Sequence, residues 1–384
     1  MCVAGEDGFA VYRCDPFHEV FSRSLGGGVA HAEMLFQCQL LGLVGGGKRP
    51  FAPPGTLTVW DDARRAPAGE VSQRSPIRAV RMHRTLVAVA TEYHVTAYAL
   101  EDMRPVLELD TAHCPRALLA LSLSDGGGEG AVLACAGLRA GQASLTALSA
   151  APGGTGPRAR TRFITAHRSG LGALALTVDG ARLATASERG TLVRVFDCAS
   201  GECLAELRRG TEPAAIHSLT FSRTGTWLAL SSSTLTVHVF DVDRCRDEAA
   251  AAAAAAGGAA ARPGPSAAAG APEGQPPPPP PQFPPQSSSP LTSALGVGRK
   301  VWGKIKPALP SYFRSRWSTV SFKVPGEQLS DSEVAFDHSL GDHGDPCVQV
   351  ATARGEYLRF SITGRGAVLQ THRRFAERRG AGAD

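Results

Sequence analysis

No two cysteines in this chain of 384 residues form a Cys-x-x-Cys pair, aromatic side chains make up only 6%, and no long apolar run occurs. Each shortage removes a class of protein. The nine cysteines stand at 2, 14, 38, 114, 135, 198, 203, 245 and 347, an odd number whose spacing fits neither a zinc site nor a disulfide framework. Reduced thiols in a cytoplasmic protein are the simple reading. No stretch is apolar for long enough to span a bilayer. Met1 is followed by Cys-Val-Ala-Gly-Glu-Asp rather than by a basic and then apolar leader. Any membrane role is therefore expected to be peripheral. A net charge of +5 is too small to argue for nucleic acid. There is no Gly-x-Ser-x-Gly elbow, no phosphate-binding P-loop and no His-Glu-x-x-His motif. The expectation is a binding protein with no enzymatic activity, no cofactor and no metal.

What is present is a recurring strand–turn–strand unit. Hydrophobic residues make up 43% of the chain, enough to build a core. One unit runs Ala173–Val178, Asp179-Gly180, Arg182–Ala186, Gly190 and Thr191–Asp197. The next runs Ile216–Ser222, Thr224-Gly225, Trp227–Ser231 and Leu235–Asp241. Leu57–Asp61 with its Trp-Asp ending, and Ala79–Arg81, Leu86–Ala90 and Val95–Tyr98, follow the same pattern. Alternating apolar positions flanking Asp-Gly mark hairpins. Phe240 follows Phe196 by 44 residues, and propeller blades repeat at about 40–45 residues with an aromatic-Asp ending. Ala249–Ser289 breaks the order with an alanine tract, Gly and Pro, and the run Pro276–Pro281, which reads as a disordered loop. Strand signals resume at Ser318–Val324, so the insertion interrupts a blade instead of joining two domains.

Between two of these units stands Leu207-Arg208-Arg209-Gly210. It follows Thr191–Asp197 and precedes Ile216-His217-Ser218-Leu219-Thr220-Phe221-Ser222. This arrangement resembles the PROPPIN family, the propellers of the autophagy-related protein 18 or WIPI type. Asp7-Gly8-Phe9 with Cys14-Asp15-Pro16-Phe17 is similar to the family's first blade. Glu33-Met34-Leu35, Leu43-Val44-Gly45-Gly46-Gly47 and Val59-Trp60-Asp61-Asp62 are similar to its second. Thr165-Ala166-His167, Ala184-Thr185-Ala186-Ser187 and Gly190-Thr191-Leu192-Val193-Arg194 are similar to its fifth. The resemblance implies an all-β, seven-bladed WD40-like propeller over residues 1–384, with residues 245–315 as a loop and membrane-anchoring segment inserted in the sixth blade. Relatives begin with a further strand before the Val-Ala-Gly stretch, and here the chain starts at Met1-Cys2-Val3, so the expectation is either a truncated chain or a blade short of a strand, inner or outer. Where the family often has a charged residue and Gly before Thr-Val-His, this chain has Ser233-Thr234-Leu235, and that loop is expected to differ in shape.

The resemblance also implies a function. It points to a peripheral effector and scaffold on membranes carrying phosphatidylinositol 3-phosphate and phosphatidylinositol 3,5-bisphosphate. Its setting would be autophagosome formation and endolysosomal or vacuolar traffic, on phagophore, endosomal or vacuolar membranes. Autophagy lipid-transfer or conjugation factors would be its partners, and the chain would be monomeric in solution. Consecutive arginines on an extended segment point to opposite sides, so Arg208 and Arg209 would serve two pockets. Matching motifs assign His167, Ser187, Thr191, Arg194 and Arg208 to the first, and Arg209, Ser232, Thr236 and His238 to the second. Arginine forks and hydroxyl and imidazole donors suit phosphate groups. In the insertion, Leu291, Leu295, Trp302, Ile305 and Leu309 recur at near-helical spacing among Arg299, Lys300, Lys304 and Lys306, and no acidic residue occurs from Pro276 to Gly326. A basic amphipathic stretch carrying Trp reads as an interfacial anchor, with Trp302, Ile305 and Leu309 inserting. The other reading is a partly packed linker. The alternative function is a protein-interaction scaffold with weak or lost lipid binding.

Overall fold

Asp61, Asp197 and Asp241 each end a strand and close the turn that follows. Their carboxylates accept main-chain N–H bonds from Ala63 at 2.9 Å, Ser200 at 2.6 Å and Arg244 at 2.9 Å. An aspartate that satisfies the turn's own donors stops the ladder at a fixed residue. The computed structural model describes residues 1–35, 38–123, 130–149, 158–247, 316–325, 332–337, 346–364 and 366–375.

Those residues form seven sheets, antiparallel except where a short fifth strand joins the fifth sheet in parallel. The first holds β1 (Cys2–Ala4), β2 (Gly8–Cys14) and β3 (Phe17–Ser24). The second holds β4 (Val29–Met34), β5 (Leu40–Gly45), β6 (Thr56–Asp61) and β7 (Ala66–Ser72). The third holds β8 (Ala79–Met82), β9 (Leu86–Ala90), β10 (His94–Ala99) and β11 (Pro105–Asp110). The fourth holds β12 (Leu119–Leu121), β13 (Ala131–Ala136), β14 (Gln142–Ser149) and β15 (Arg158–Thr165). The fifth holds β16 (Leu171–Leu176), β17 (Arg182–Ser187), β18 (Leu192–Asp197) and β19 (Cys203–Arg208). The sixth holds β20 (Ile216–Phe221), β21 (Trp227–Ser232), β22 (Thr236–Asp241) and, after the insertion and β23 (Arg316–Trp317), β24 (Val320–Lys323). The seventh holds β25 (Ser332–Phe336), β26 (Cys347–Thr352), β27 (Glu356–Thr363) and β28 (Gly366–Arg374). Strands β4, β8, β12, β16, β20 and β25 touch in succession as the innermost strands. The architecture is the expected seven-bladed β-propeller, and its first blade is short of one strand.

Sheets stack through the apolar half of each alternation. Between the fifth and sixth, Val193, Val195 and Leu207 meet Ile216, Leu228, Leu230 and Phe240. Each such side chain contributes about 1.5–3 kcal/mol when withdrawn from water. Phe196 and Phe240 occupy matching places, opposite Leu183 and Leu228 on the neighbouring strands. The last blade meets the first through side chains. Tyr357 stacks on Phe17 with ring centres 4.4 Å apart and donates its hydroxyl to the Cys14 carbonyl at 3.0 Å. Arg359 bridges Asp15 at 3.1 Å and Asp337 at 2.9 Å.

The segment 248–315, with Trp302, Ile305 and Leu309, lies outside the described residues. In the chain it falls between β22 and β24, the third and fourth strands of the sixth sheet. The strand expected over Ser318–Val324 is β24 (Val320–Lys323), paired with β22; just before it, β23 lies parallel on β19, with Leu207 opposite Arg316 and Arg208 opposite Trp317.

Candidate functional site

Arg208 is the last residue of β19, and Arg209 follows it. Strand register settles what surrounds each. Arg208 pairs with Leu192 and Glu206 with Arg194, while Arg194 pairs with Thr185 on the next strand. With side chains alternating, Thr185, Ser187, Arg194, Glu206 and Arg208 share one face of the fifth sheet, turned toward the fourth. His167 enters this face, its Nε2 lying 3.0 Å from Thr185 Oγ1 and 3.2 Å from the Thr185 carbonyl. Arg194 is held by the Glu206 carboxylate at 2.7 and 3.0 Å and donates to the Ala166 carbonyl. Thr191 lies just before β18, and its carbonyl accepts the Arg209 main-chain N–H at 3.1 Å.

Arg209 turns to the sixth sheet. Its Nε donates to the Gly190 carbonyl at 2.7 Å and its guanidinium also donates to the Glu212 carbonyl. Gly190 has φ +63, and a Cβ there would lie 1.9 Å from the Ala214 carbonyl oxygen, so only glycine fits. Ser232 opposes Thr236 and Leu230 opposes His238, which places Ser232, Thr236 and His238 on one face. Ser232 Oγ lies 3.0 Å from Thr234 Oγ1, Thr236 donates to the Thr234 carbonyl at 3.2 Å, and His238 Nδ1 lies 3.2 Å from Ser318 Oγ. At the Ser233-Thr234-Leu235 turn, where a different shape was expected, Leu235 adopts φ 62, the left-handed conformation that glycine favours and that a side chain disfavours.

Both imidazoles are kept neutral at pH 7. Burial pushes His167 down to about 4; the Thr185 bond opposes this and the Arg194 charge adds to it. Burial likewise pushes His238 down to about 4, and the nearby Arg209 charge adds to it. Burial also lowers Arg209 from its usual value. An unfolded imidazole titrates near 6.5, so between pH 6.5 and 4 the unfolded chain binds more protons than the folded one. Stability is therefore complete above about pH 6.5 and is lost as pH falls through that window, by on the order of 3 kcal/mol per histidine. The melting temperature is expected to fall across this range, and His238→Gln is expected to flatten the slope. An unchanged slope in the variant would show that His238 titrates normally.

The structure thus places His167, Ser187, Arg194 and Arg208 on the strand face that carries Thr185, ties Thr191 in through its carbonyl, and sets Ser232, Thr236 and His238 on one face of the sixth sheet with His238 near Arg209. Sequence reasoning missed four participants. Thr185 anchors His167, Glu206 occupies Arg194, and Ser318 reaches His238 from beyond the insertion. Trp317, 51% exposed, lies beside Arg208. Thr185 and Glu206 follow from alternation once Arg194 and Arg208 are fixed. Ser318 and Trp317 depend on pairing across the insertion, which no local pattern reveals.

Comparison with known proteins points the same way. The family model described as PROPPIN matches residues 10–260. Autophagy-related protein 18e of Arabidopsis thaliana is 34% identical over 241 residues, covering 62% of this chain and 62% of that one. SVP1-like protein 2 of Pichia angusta is 30% identical over 331 residues, covering 84% of this chain and 77% of that one. The match therefore spans less than two thirds of the Arabidopsis relative's length. Among solved structures, Kluyveromyces lactis Hsv2 superposes with a TM-score of 0.66 at 17% identity, covering 97% of this chain and 95% of that one. A complex of KlAtg21 with the coiled coil of AgAtg16 gives a TM-score of 0.60 at 18% identity, covering 98% and 96%. These two share the fold. With the Arg-Arg-Gly segment set between the fifth and sixth of seven sheets, and the family match running through both, this chain belongs to the PROPPIN family.

Proposed function

We propose that this chain is a peripheral phosphoinositide effector and scaffold in autophagy. It binds phosphatidylinositol 3-phosphate and phosphatidylinositol 3,5-bisphosphate, and it acts in autophagosome formation and endolysosomal or vacuolar membrane traffic. The observation that carries this reading is the placement of Arg208 at the end of β19, on the strand face that carries Glu206 and Arg194 beside the buried His167, and of Arg209 just beyond it, near the buried His238 of the sixth sheet. Each set offers neutral imidazole, hydroxyl and guanidinium groups, the donors that bind phosphate. Two modest sites on one rigid body raise overall affinity through effective concentration. Among the described residues no helix is long and apolar enough to cross a membrane, so attachment rests on headgroups and on the inserted segment. The chain acts as a monomer and recruits autophagy lipid-transfer or conjugation factors; the Atg21 complex with a coiled coil makes a coiled-coil protein a candidate partner. Flotation of the full chain with vesicles across a phosphoinositide panel tests the reading. Binding confined to vesicles bearing 3-phosphorylated lipids supports it, and equal flotation with plain phosphatidylcholine vesicles overturns it.

The second reading, a protein-interaction scaffold with weak lipid binding, is favoured by one feature. Arg194 is already committed to Glu206 at 2.7 Å, so a phosphate entering the first set must displace a carboxylate. Full-strength headgroup binding by the chain would dismiss this reading.

In the insertion, Trp302 and Ile305 enter the bilayer once the headgroup sites engage. Each large apolar side chain taken from water contributes roughly 1.5–3 kcal/mol, and neighbouring Arg299, Lys300, Lys304 and Lys306 add about 1 kcal/mol each near anionic lipid. Trp302→Asp with Ile305→Asp is expected to weaken vesicle binding about tenfold or more, before ordering costs, and to leave soluble headgroup binding intact. Unaltered flotation of that variant would make the stretch a linker.

A further inference from the structure

Strands of an antiparallel sheet alternate in direction, so the turn after its second strand and the connection after its fourth leave from the same end. Five such segments surround one cavity of about 420 Å³. They are 111–118 between β11 and β12, 137–141 between β13 and β14, 166–170 between β15 and β16, 188–191 between β17 and β18, and 209–215 between β19 and β20. Buried Ala136 and Ile216 line the cavity, together with exposed His113, Arg116, Arg139 and Glu188.

Its surroundings are basic. The five segments carry Arg116, Arg139, Arg168, Arg189 and Arg209 against two carboxylates, Glu188 and Glu212. Glu92, beside His113, is taken by Arg78 at 3.0 Å. Arg139, Arg168 and Arg189 are exposed, and none makes a hydrogen bond or ion pair through its side chain among the described residues. Arg116 is fixed across the mouth: it donates to the Gly172 carbonyl at 3.0 Å, to the Ile216 carbonyl, and to the His217 carbonyl at 3.2 Å. A guanidinium has five N–H donors, so two of them are left without an acceptor among the described residues. The rim is also apolar. The Ala112 N–H donates to the Gly137 carbonyl at 2.8 Å, which draws His113 and Leu138 to one side of the mouth. Leu138 is 58% exposed, and Tyr93, stacked on His113 with ring centres 5.0 Å apart, is 50% exposed. Exposed apolar groups beside unpaired guanidiniums suit a ligand with both negative charge and apolar surface. A phosphorylated inositol has the charge without the surface, whereas a polypeptide offers both.

We propose that this mouth binds an acidic segment of a partner polypeptide, one carboxylate reaching Arg116 and Arg139 and a neighbouring apolar side chain lying against Leu138 and Tyr93. The carboxylate supplies charge-assisted bonds, and the apolar contact selects among acidic sequences. Glu188 repels a second carboxylate on the far wall and so sets the direction of the segment. Headgroup binding is not required, because the contacts are Arg116, Arg139, Leu138 and Tyr93.

Random peptides of about twelve residues displayed on phage and selected on the full chain probe the mouth. The enriched sequences are expected to share an Asp or Glu next to Leu, Ile, Phe or Met. Synthesised with a fluorescent label, they are expected to bind saturably by fluorescence polarisation. Arg139→Glu should weaken that binding at least about tenfold, Leu138→Ser severalfold, and Glu188→Gln should strengthen it. Arg223→Glu, on the exposed turn between β20 and β21 at the opposite end of the strands, should leave it unchanged. Should Arg139→Glu fail to fold, Arg139→Gln removes the charge alone and is expected to weaken binding severalfold. No enriched peptide, enriched peptides without an acidic residue, or equal binding by the Arg139 variants each overturns the proposal. So does displacement of the peptide by soluble inositol 1,3-bisphosphate from the Arg208→Ala/Arg209→Ala variant, which would make the mouth a phosphate site. Loss of vesicle flotation with peptide binding intact would count against the headgroup reading alone.

Discussion

Replacing Arg208 and Arg209 together by alanine is expected to abolish flotation of the full chain with vesicles carrying phosphatidylinositol 3-phosphate or its 3,5-bisphosphate. Arg208 ends β19 on the face that carries Glu206, and Arg209, just beyond the strand, donates to the Gly190 carbonyl, so each single variant is expected to empty one set and leave the other. Charge-assisted bonds to phosphate contribute about 1.5–3 kcal/mol each, and a guanidinium makes two at once. Each single variant should therefore bind about tenfold or more weakly, and the double variant below detection, because the loss of the second attachment also removes the gain from effective concentration. Arg209 has a structural part as well, since it donates to the Gly190 and Glu212 carbonyls. Its removal leaves acceptors in need of partners, a cost of about 1–3 kcal/mol in stability. Arg209→Lys separates the two parts: it keeps the charge and loses the planar fork. If the double variant melts as a folded protein and floats normally, the headgroup sites lie elsewhere.

Much of the ring was legible because its signals are local. Asp197 and Asp241 announce the ends of β18 and β22, and Asp179-Gly180 announces the hairpin before β17. The apolar alternation of Val193, Val195, Ala184 and Ala186 fixes which face is buried. Expected strands and observed ones differ by at most two residues at their ends, as at Leu171–Leu176 against the expected Ala173–Val178. The division of Arg208 from Arg209 is also local, because it needs only that the segment be extended. What was not legible depends on pairing between distant residues. Glu206 sits two residues before Arg208, yet its hold on Arg194 appears only when β18 and β19 are in register. Trp317 beside Arg208 depends on β23 crossing to the neighbouring sheet after the insertion. His167 and His238 were assigned as phosphate donors, and each also bonds protein hydroxyls at Thr185 and Ser318. A sequence names an imidazole but not the partner that fixes it.

The ring junction offers the largest expected loss of stability. Among the described residues the seventh blade meets the first through side chains. Tyr357 is 1% exposed; its ring stacks on Phe17 at 4.4 Å and its hydroxyl holds the Cys14 carbonyl at 3.0 Å. Tyr357→Ala empties this place and is expected to cost about 3–5 kcal/mol, the range for removing a buried aromatic ring. Tyr357→Phe keeps the ring and loses one hydrogen bond, about 0.5–1.5 kcal/mol. Arg359, which ties Asp15 to Asp337, supports the same junction, so Arg359→Ala combined with Tyr357→Ala should depart from additivity. A cavity anywhere in the core would lower the melting temperature, so location must be read separately. Hydrogen exchange does this: in Tyr357→Ala the amides of β2 and β3 should exchange faster by at least about tenfold, matching a local opening, while those of β9 and β17 change only with global stability. Uniform acceleration across all sheets, or a loss below about 1 kcal/mol, would mean that the ring does not depend on this contact.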